Sequence, residues 1–328
     1  MDVLLTEVAF ARDGERLVAT APEVGWLRMD GDGVLRRDGV EVPRDEVAPE
    51  VVWGTGDLFD DGPMRPFLGL VARNPAVRWF ASPAAGYENP YFGELVRKGV
   101  RVTTSHASSG SIAEYVVRAV LDAFQGADQW RRAQAERAWR THDRHREVAG
   151  STWLVIGLGA IGTEVAVRAR ALGATVVGVR RTPTGDEPVD EVRTPDEVLG
   201  ALPRAHAVVV CAPSTPATHR LVDAAFLAAV KPGSVLVNVS RGDLLDEAAL
   251  LPALDAGAPG TAVLDVVATE PLPPESPLWT HPGVVVTPHS SGRGTGRFDR
   301  AVDEFLDNLA RYRAGEPLRN ELTVADLP

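Results

Sequence analysis

Cysteine is almost missing from this chain: Cys211 is the only one, so no intrachain disulfide can form. That excludes a disulfide-stapled fold and fits a reducing cytosol, although many bacterial secreted proteins also do without disulfides. Lysine is nearly as scarce. Lys98 and Lys231 are the only two, so arginine carries almost all the positive charge, which reads as coding bias. Basic residues are outnumbered overall, with a formal net charge of −11. That balance argues against a nucleic-acid binder, which usually needs a clustered basic surface. No stretch approaches the roughly 20 apolar residues that span a bilayer. Met1–Glu7 has no basic segment and too short an apolar run for a signal peptide, so a cytoplasmic protein without membrane or nucleic-acid partners is expected. There is no repeat of solenoid length and no low-complexity tract.

What is present is enough for two domains: 328 residues, 45% of them hydrophobic. The early chain offers short apolar pieces, Val51-Val52-Trp53 and Val77-Arg78-Trp79-Phe80, that read as strands of an α/β domain. Apolar residues at helical spacing predict a helix from Ile112 to about Phe124, with Ser109 or Ser111 as its cap. Residues 128–147, rich in Arg, Gln, Glu and Trp, also read as helical. That arm suits either packing against a partner subunit or an ordinary surface helix.

From Trp153 the pattern sharpens. Trp153-Leu154-Val155-Ile156 has the apolar run of a strand buried on both faces of a parallel sheet, and Gly157-Leu158-Gly159-Ala160-Ile161-Gly162 follows directly. A helical pattern leads to Gly173, a C-terminal cap, and then to a second strand at Thr175–Val179. Further strands are expected at 207–210, 235–239, 262–266 and 284–287. Strand alternating with helix implies an α/β, doubly wound parallel sheet.

A glycine triplet between strand and helix is the dinucleotide fingerprint. Gly157 permits the tight turn, Gly159 lets the backbone approach a pyrophosphate, and Gly162 allows close helix–strand packing. The amides of Ala160 and Ile161 open a helix N-terminus, whose partial positive charge suits a diphosphate. After the second strand stands Arg180-Arg181-Thr182, with no acid until Asp186. A carboxylate there would repel a 2′-phosphate, whereas a guanidinium grips it, so NADP(H) is expected over NAD(H), which stays possible.

Three strand ends carry the chemistry of ketone reduction, and ligands of parallel sheets lie beyond such ends. Arg241, in Val239-Ser240-Arg241-Gly242, offers a planar fork for a carboxylate. Asp265 ends a strand, with Glu270 in the loop after it, and His289 follows Val284–Thr287. A histidine supplies the proton that a developing alkoxide needs, and a neighbouring carboxylate orients it. No metal is required.

These segments, in this order and spacing across about 110–300, resemble the successive signatures of the D-isomer-specific 2-hydroxyacid dehydrogenases, in particular the glyoxylate/hydroxypyruvate reductases. The resemblance implies a Rossmann nucleotide domain, residues 105–293, inserted into a flavodoxin-like substrate domain made of residues 1–104 and 294–328. It implies Arg241 as substrate binder, Glu270 and His289 as the acid/base pair, and Asp265 near the nicotinamide. Ala212, Pro213 and Thr218 resemble the family's cofactor loop, and Val239, Ser240, Ser291 and Gly292 are placed with the cofactor on the same ground. Ala84, Ala85 and Gly86 resemble its glycine-bearing substrate loop, where Pro83 removes one amide donor. Ser290-Ser291 stands where many members carry Ile-Ala. A homodimer and a small 2-keto or 2-hydroxy acid substrate are implied too. Glu270 favours 2-hydroxyacid chemistry over formate oxidation, and with the sequence ending at Pro328 the regulatory extension of phosphoglycerate dehydrogenases is not expected. The alternatives are a phosphite-type dehydrogenase using a similar Arg/Glu/His set and a non-catalytic dinucleotide-sensing corepressor or scaffold.

Overall fold

The computed structural model describes residues 1–59, 62–141 and 145–327. They form two compact units, Met1–Ser108 with Thr295–Pro328, and Ser109–Gly294.

The first unit opens with β1 (Asp2–Thr6), α1 (Glu7–Thr20) and β2 (Gly25–Met29). Val3, Leu4 and Leu5 are wholly buried, as a strand must be when helices cover both faces of its sheet. Thr6 ends the strand and caps the helix, accepting the amide of Ala9 at 3.2 Å. β3 (Leu35–Arg37) and β4 (Val40–Glu41) make an antiparallel hairpin on Asp38-Gly39, both at positive φ as a tight hairpin turn requires. Then come β5 (Val51–Trp53), α2 (Met64–Arg73), β6 (Trp79–Ala81), α3 (Pro90–Arg97) and β7 (Arg101–Thr103). The order β4-β3-β2-β1-β5-β6-β7 is a doubly wound parallel sheet with that hairpin added at one edge.

The second unit begins with α4 (Ser109–Gln125) and α5 (Ala127–Ala135). The expected helix over 128–147 stops early. Arg137 takes a left-handed φ of 54°, and the amides of Arg137 and Ala138 turn back to the carbonyls of Gln134 and Ala133. Residues 142–144 of that stretch lie outside the described ones. There follow β8 (Thr152–Ile156), α6 (Ala160–Ala171), β9 (Thr175–Val179), β10 (Glu191–Arg193), α7 (Val198–Ala201), β11 (Ala207–Val210), α8 (Ala224–Ala229), β12 (Val235–Asn238), α9 (Glu247–Asp255), β13 (Thr261–Leu264) and β14 (Val284–Val286). All pairings are parallel in the order β10-β9-β8-β11-β12-β13-β14. Trp153, Val155, Val209 and Val237 face α4 and α6 on one side, while Leu154, Val208 and Leu236 face α8 and α9 on the other. Continuous apolar runs are the consequence of that double burial. The chain then returns through α10 (Arg297–Ala314) to the first unit, where Phe305 stacks on Trp53 with ring centroids 4.4 Å apart. Among the described residues no helix is long and apolar enough to cross a membrane.

Candidate active site

The glycine loop joins β8 to α6 at the switch point where strand order reverses between β8 and β11. Gly157 has a φ of 97°, and a Cβ there would lie 2.7 Å from the backbone of Ala212. A Cβ on Gly162 would collide with the carbonyl oxygen of Gly157. At Gly159 a Cβ would meet nothing within 4 Å, so the backbone borders open space. Gly159 is also the N-cap of α6 and contributes no side-chain cap bond. Among the described residues no cap serves the first amides of α6, those of Ala160 and Ile161, beside that open space, which fits a pyrophosphate.

The Arg180-Arg181-Thr182 segment follows β9, and here the structure adds an acid that the reading from sequence did not connect. Glu187 turns back so that its carboxylate accepts the amides of Thr184 (2.6 Å) and Gly185 (2.9 Å) and the Thr184 hydroxyl. Those bonds, the amide of Thr184 foremost, hold its pKa down at about 2. One of its oxygens lies 3.5 Å from the Arg180 guanidinium. Arg180 is therefore engaged within its own loop, whereas Arg181 is exposed and has no ion pair among the described residues. Thr218 likewise serves its own loop: its hydroxyl donates to the carbonyl of Pro213 at 2.6 Å and accepts the amide of Thr215 at 2.8 Å. Ser240 donates to the carbonyl of Ala212, tying the two loops together.

Beyond β12, Asn238 bridges its turn, accepting the Ser240 amide at 3.1 Å and donating to the carbonyl of Arg241 at 2.9 Å. Gly242 then passes against the backbone of Val267 and Ala268, where no Cβ fits. The Arg241 loop and the loop carrying Glu270 are so packed together. Glu270 accepts the Val267 amide at 3.2 Å through one oxygen and faces His289 Nδ1 at 2.9 Å through the other. A carboxylate can only accept, so Nδ1 carries the proton and Nε2 is the ring's remaining functional nitrogen. The His289 side chain is half exposed, open to a reactant.

His289 sits at a φ of 48°, a left-handed conformation that histidine tolerates better than most residues. It is held there by its amide, which donates to the carbonyl of Asp265 at 2.8 Å. The Asp265 side chain is 1% exposed and accepts the amides of Ser290 (2.9 Å) and Ser291 (3.0 Å) and the hydroxyl of Thr287 (2.6 Å). Tyr115 of α4 lies 2.6 Å from that same threonine oxygen. Where many members of the resembled family have Ile-Ala, Ser290-Ser291 serves Asp265 through backbone amides, which any residue pair supplies.

In the first unit, Ser82–Gly86 follows β6. The Ala84 amide is bonded to the Ser82 hydroxyl at 3.1 Å and its carbonyl accepts the Ser105 amide. Of the three expected substrate contacts, then, Ala84 has its polar groups committed, and the amides of Ala85 and Gly86 are the ones without a partner among the described residues.

The family described as D-isomer-specific 2-hydroxyacid dehydrogenase, NAD-binding domain, matches residues 117–291. A D-3-phosphoglycerate dehydrogenase of Mycobacterium bovis is 33% identical over 312 residues, covering 85% of this chain and 58% of the relative. The chain thus spans little more than half the length of that protein. A glyoxylate/hydroxypyruvate reductase A of Serratia proteamaculans is 32% identical over 203 residues, covering 62% of this chain and 64% of the relative. A D-isomer-specific 2-hydroxyacid dehydrogenase from Xanthobacter autotrophicus Py2, solved in complex with NADPH and MES, superposes with a TM-score of 0.78 at 30% identity, covering 99% of this chain and 98% of that one. The chain belongs to the D-isomer-specific 2-hydroxyacid dehydrogenase family.

Proposed function

We propose that this protein is a D-specific reductase of small 2-keto acids, of the glyoxylate or hydroxypyruvate kind, that draws its hydride from NADPH. The observation that carries the reading is the Glu270–His289 pair at 2.9 Å, beyond the carboxyl ends of the same sheet that bears the glycine loop. The reduced nicotinamide supplies a hydride to C2 of the keto acid. Protonated His289 gives the oxygen its proton from Nε2, which makes the 2-hydroxy acid, and Glu270 steadies the imidazolium. Arg241 pairs with the substrate carboxylate. Gly157, Gly159, Gly162 and the α6 amides hold the diphosphate. Asp265, Val239, Ser240, Ser291 and Gly292 border the nicotinamide half. The 2′-phosphate is the partner of Arg181, with Thr182 beside it. The enzyme acts as a homodimer in which the arm around α5, with Trp139 fully exposed, meets the second copy; a mass of a single chain in light scattering would remove that part.

The test is a panel of short 2-keto acids with NADPH and with NADH, run on the parent and on His289→Ala. We expect NADPH-dependent reduction of at least one acid, lowered by roughly 10²–10⁴-fold in the variant, the range of general acid catalysis. Persisting activity in His289→Ala would refute the mechanism. Phosphite-dependent cofactor reduction by a parent inert to every keto acid would favour a small-anion dehydrogenase, and binding of dinucleotide without turnover a sensor.

A further inference from the structure

Tyr115 belongs to α4, far in sequence from every residue assigned above, yet its hydroxyl points into the catalytic loops. The directions of the bonds there are fixed by counting protons. Asp265 accepts, so Thr287 spends its one hydroxyl proton on Oδ1 at 2.6 Å. The 2.6 Å contact between Tyr115 and Thr287 must then run from the phenol to the threonine oxygen. Burial raises the pKa of Tyr115 above its ordinary value, which keeps that proton in place. The Arg118 guanidinium also packs on the ring, 5.0 Å from its centroid. A relay results: Tyr115 donates to Thr287, Thr287 to Asp265, and Asp265 takes the amides of Ser290 and Ser291 while its carbonyl takes that of His289. Hydrogen bonds in series polarise one another, so the bond from Tyr115 strengthens the one that Thr287 gives Asp265.

We infer that Tyr115 is a positioning residue of the proposed reductase, acting through Thr287 and Asp265 to hold His289 in its left-handed conformation against Glu270. A residue at φ 48° has an incentive to relax, and the three bonds to Asp265 on either side of it are what oppose the relaxation. The site is thereby braced from the helix that packs across the sheet as well as from the strands beneath. The inference rests on the reductase reading for its kinetic consequence, and on geometry alone for its effect on the ring.

Two measurements on the full chain separate those dependencies. The first follows the Cε1–H signal of the His289 ring by NMR in protein without cofactor, assigned by its loss in His289→Asn. It is expected as one sharp line in the parent and in Thr287→Ser, and broadened or doubled in Tyr115→Phe and Thr287→Val. The second compares kcat on the keto acid that the parent reduces fastest. Tyr115→Phe and Thr287→Val should each lower kcat about fivefold, the scale of one hydrogen bond, and the double variant should be no slower than Thr287→Val alone. Thr287→Ser should keep the parental rate. An unaltered ring signal in Tyr115→Phe would overturn the inference, and so would a loss of kcat that repeats undiminished in the Thr287→Val background. A parent inactive on every acid would fell the reductase reading, while the ring signal would still decide the relay.

Discussion

At the scale of single residues, Gly242 shows how much of the site depends on the absence of an atom. Its α-carbon runs so close to the carbonyl of Val267 that a Cβ would overlap backbone, which cannot rotate aside as a side chain can. Gly242→Ala must therefore push the Arg241 loop away from the loop that carries Glu270. We expect about 1–3 kcal/mol of destabilisation in urea unfolding, the usual cost of forced overpacking, together with a raised KM for the keto acid as Arg241 is displaced. Gly159 makes the opposite case, because a Cβ there would meet only open space. Gly159→Ala should leave stability within about 0.5 kcal/mol, as a substitution that disturbs no packed feature does, while weakening cofactor binding. If both variants behaved alike, the distinction between a packing glycine and a ligand-facing one would be lost.

At the scale of elements, the loop from Arg180 to Glu187 is a closed unit whose carboxylate faces inward. Because Glu187 already holds Arg180, the two arginines are not equivalent partners for a 2′-phosphate. Arg181→Ala should raise the KM for NADPH about tenfold and leave that for NADH unchanged, since only the former carries the phosphate that a charge-assisted bond of about 1.5 kcal/mol would serve. Equal effects on both cofactors would show that Arg181 does not meet the phosphate. The arginines themselves were legible from sequence because they sit at a strand end that the glycine fingerprint locates. The acid behind them was not, since its return depends on Gly185 at a φ of 88° and on amide bonds within the loop. The same divide runs through the fold. Strands β8, β9, β11, β12 and β13 announce themselves because both faces are buried and most of their residues are apolar. β10, with the sequence Glu191-Val192-Arg193, lies at a sheet edge, where its polar residues are paired with each other and leave no hydrophobic pattern. The Asp38-Gly39 hairpin had a turn signal, but strands of three and two residues flank it, too short for alternation to register. Arg241, Glu270 and His289 could be placed at strand ends one by one. The bond from Tyr115 to Thr287, 172 residues apart, has no local signature at all.

At the scale of the whole molecule, two histidines away from the active site couple folding to pH. His206, at the entry to β11, accepts the Thr152 amide on Nδ1 at 2.9 Å, with the Lys231 ammonium 2.8 Å from its other nitrogen. Burial first, then the charges of Lys231 and Arg146, hold its pKa below the ordinary imidazole value. His106 in the first unit is held down by burial too, against an opposing pull from Glu304. A histidine whose folded pKa is lowered takes up its proton more readily in the unfolded chain. Each therefore contributes stability that is complete above the unfolded value, about 6.5, and is lost as pH falls below it towards the folded one. Glu187, held at about 2 by amide and hydroxyl donors, and Glu197, held at about 2 by the Thr194 amide, the Arg193 guanidinium and the Thr194 hydroxyl, contribute in the opposite part of the scale. Their share is present above the unfolded carboxylate range of about 4.3 and fades only at stronger acidity, so it does not disturb the histidine window. Thermal melts between about pH 7.5 and 5.5 should accordingly show Tm falling with acidity. In His206→Asn, whose amide oxygen can still accept from Thr152 but cannot titrate, the fall should be shallower, and shallower again when His106 is replaced as well. A Tm that stays level across this window in the parent, or declines equally steeply in all three proteins, would mean that neither histidine is kept neutral by the fold.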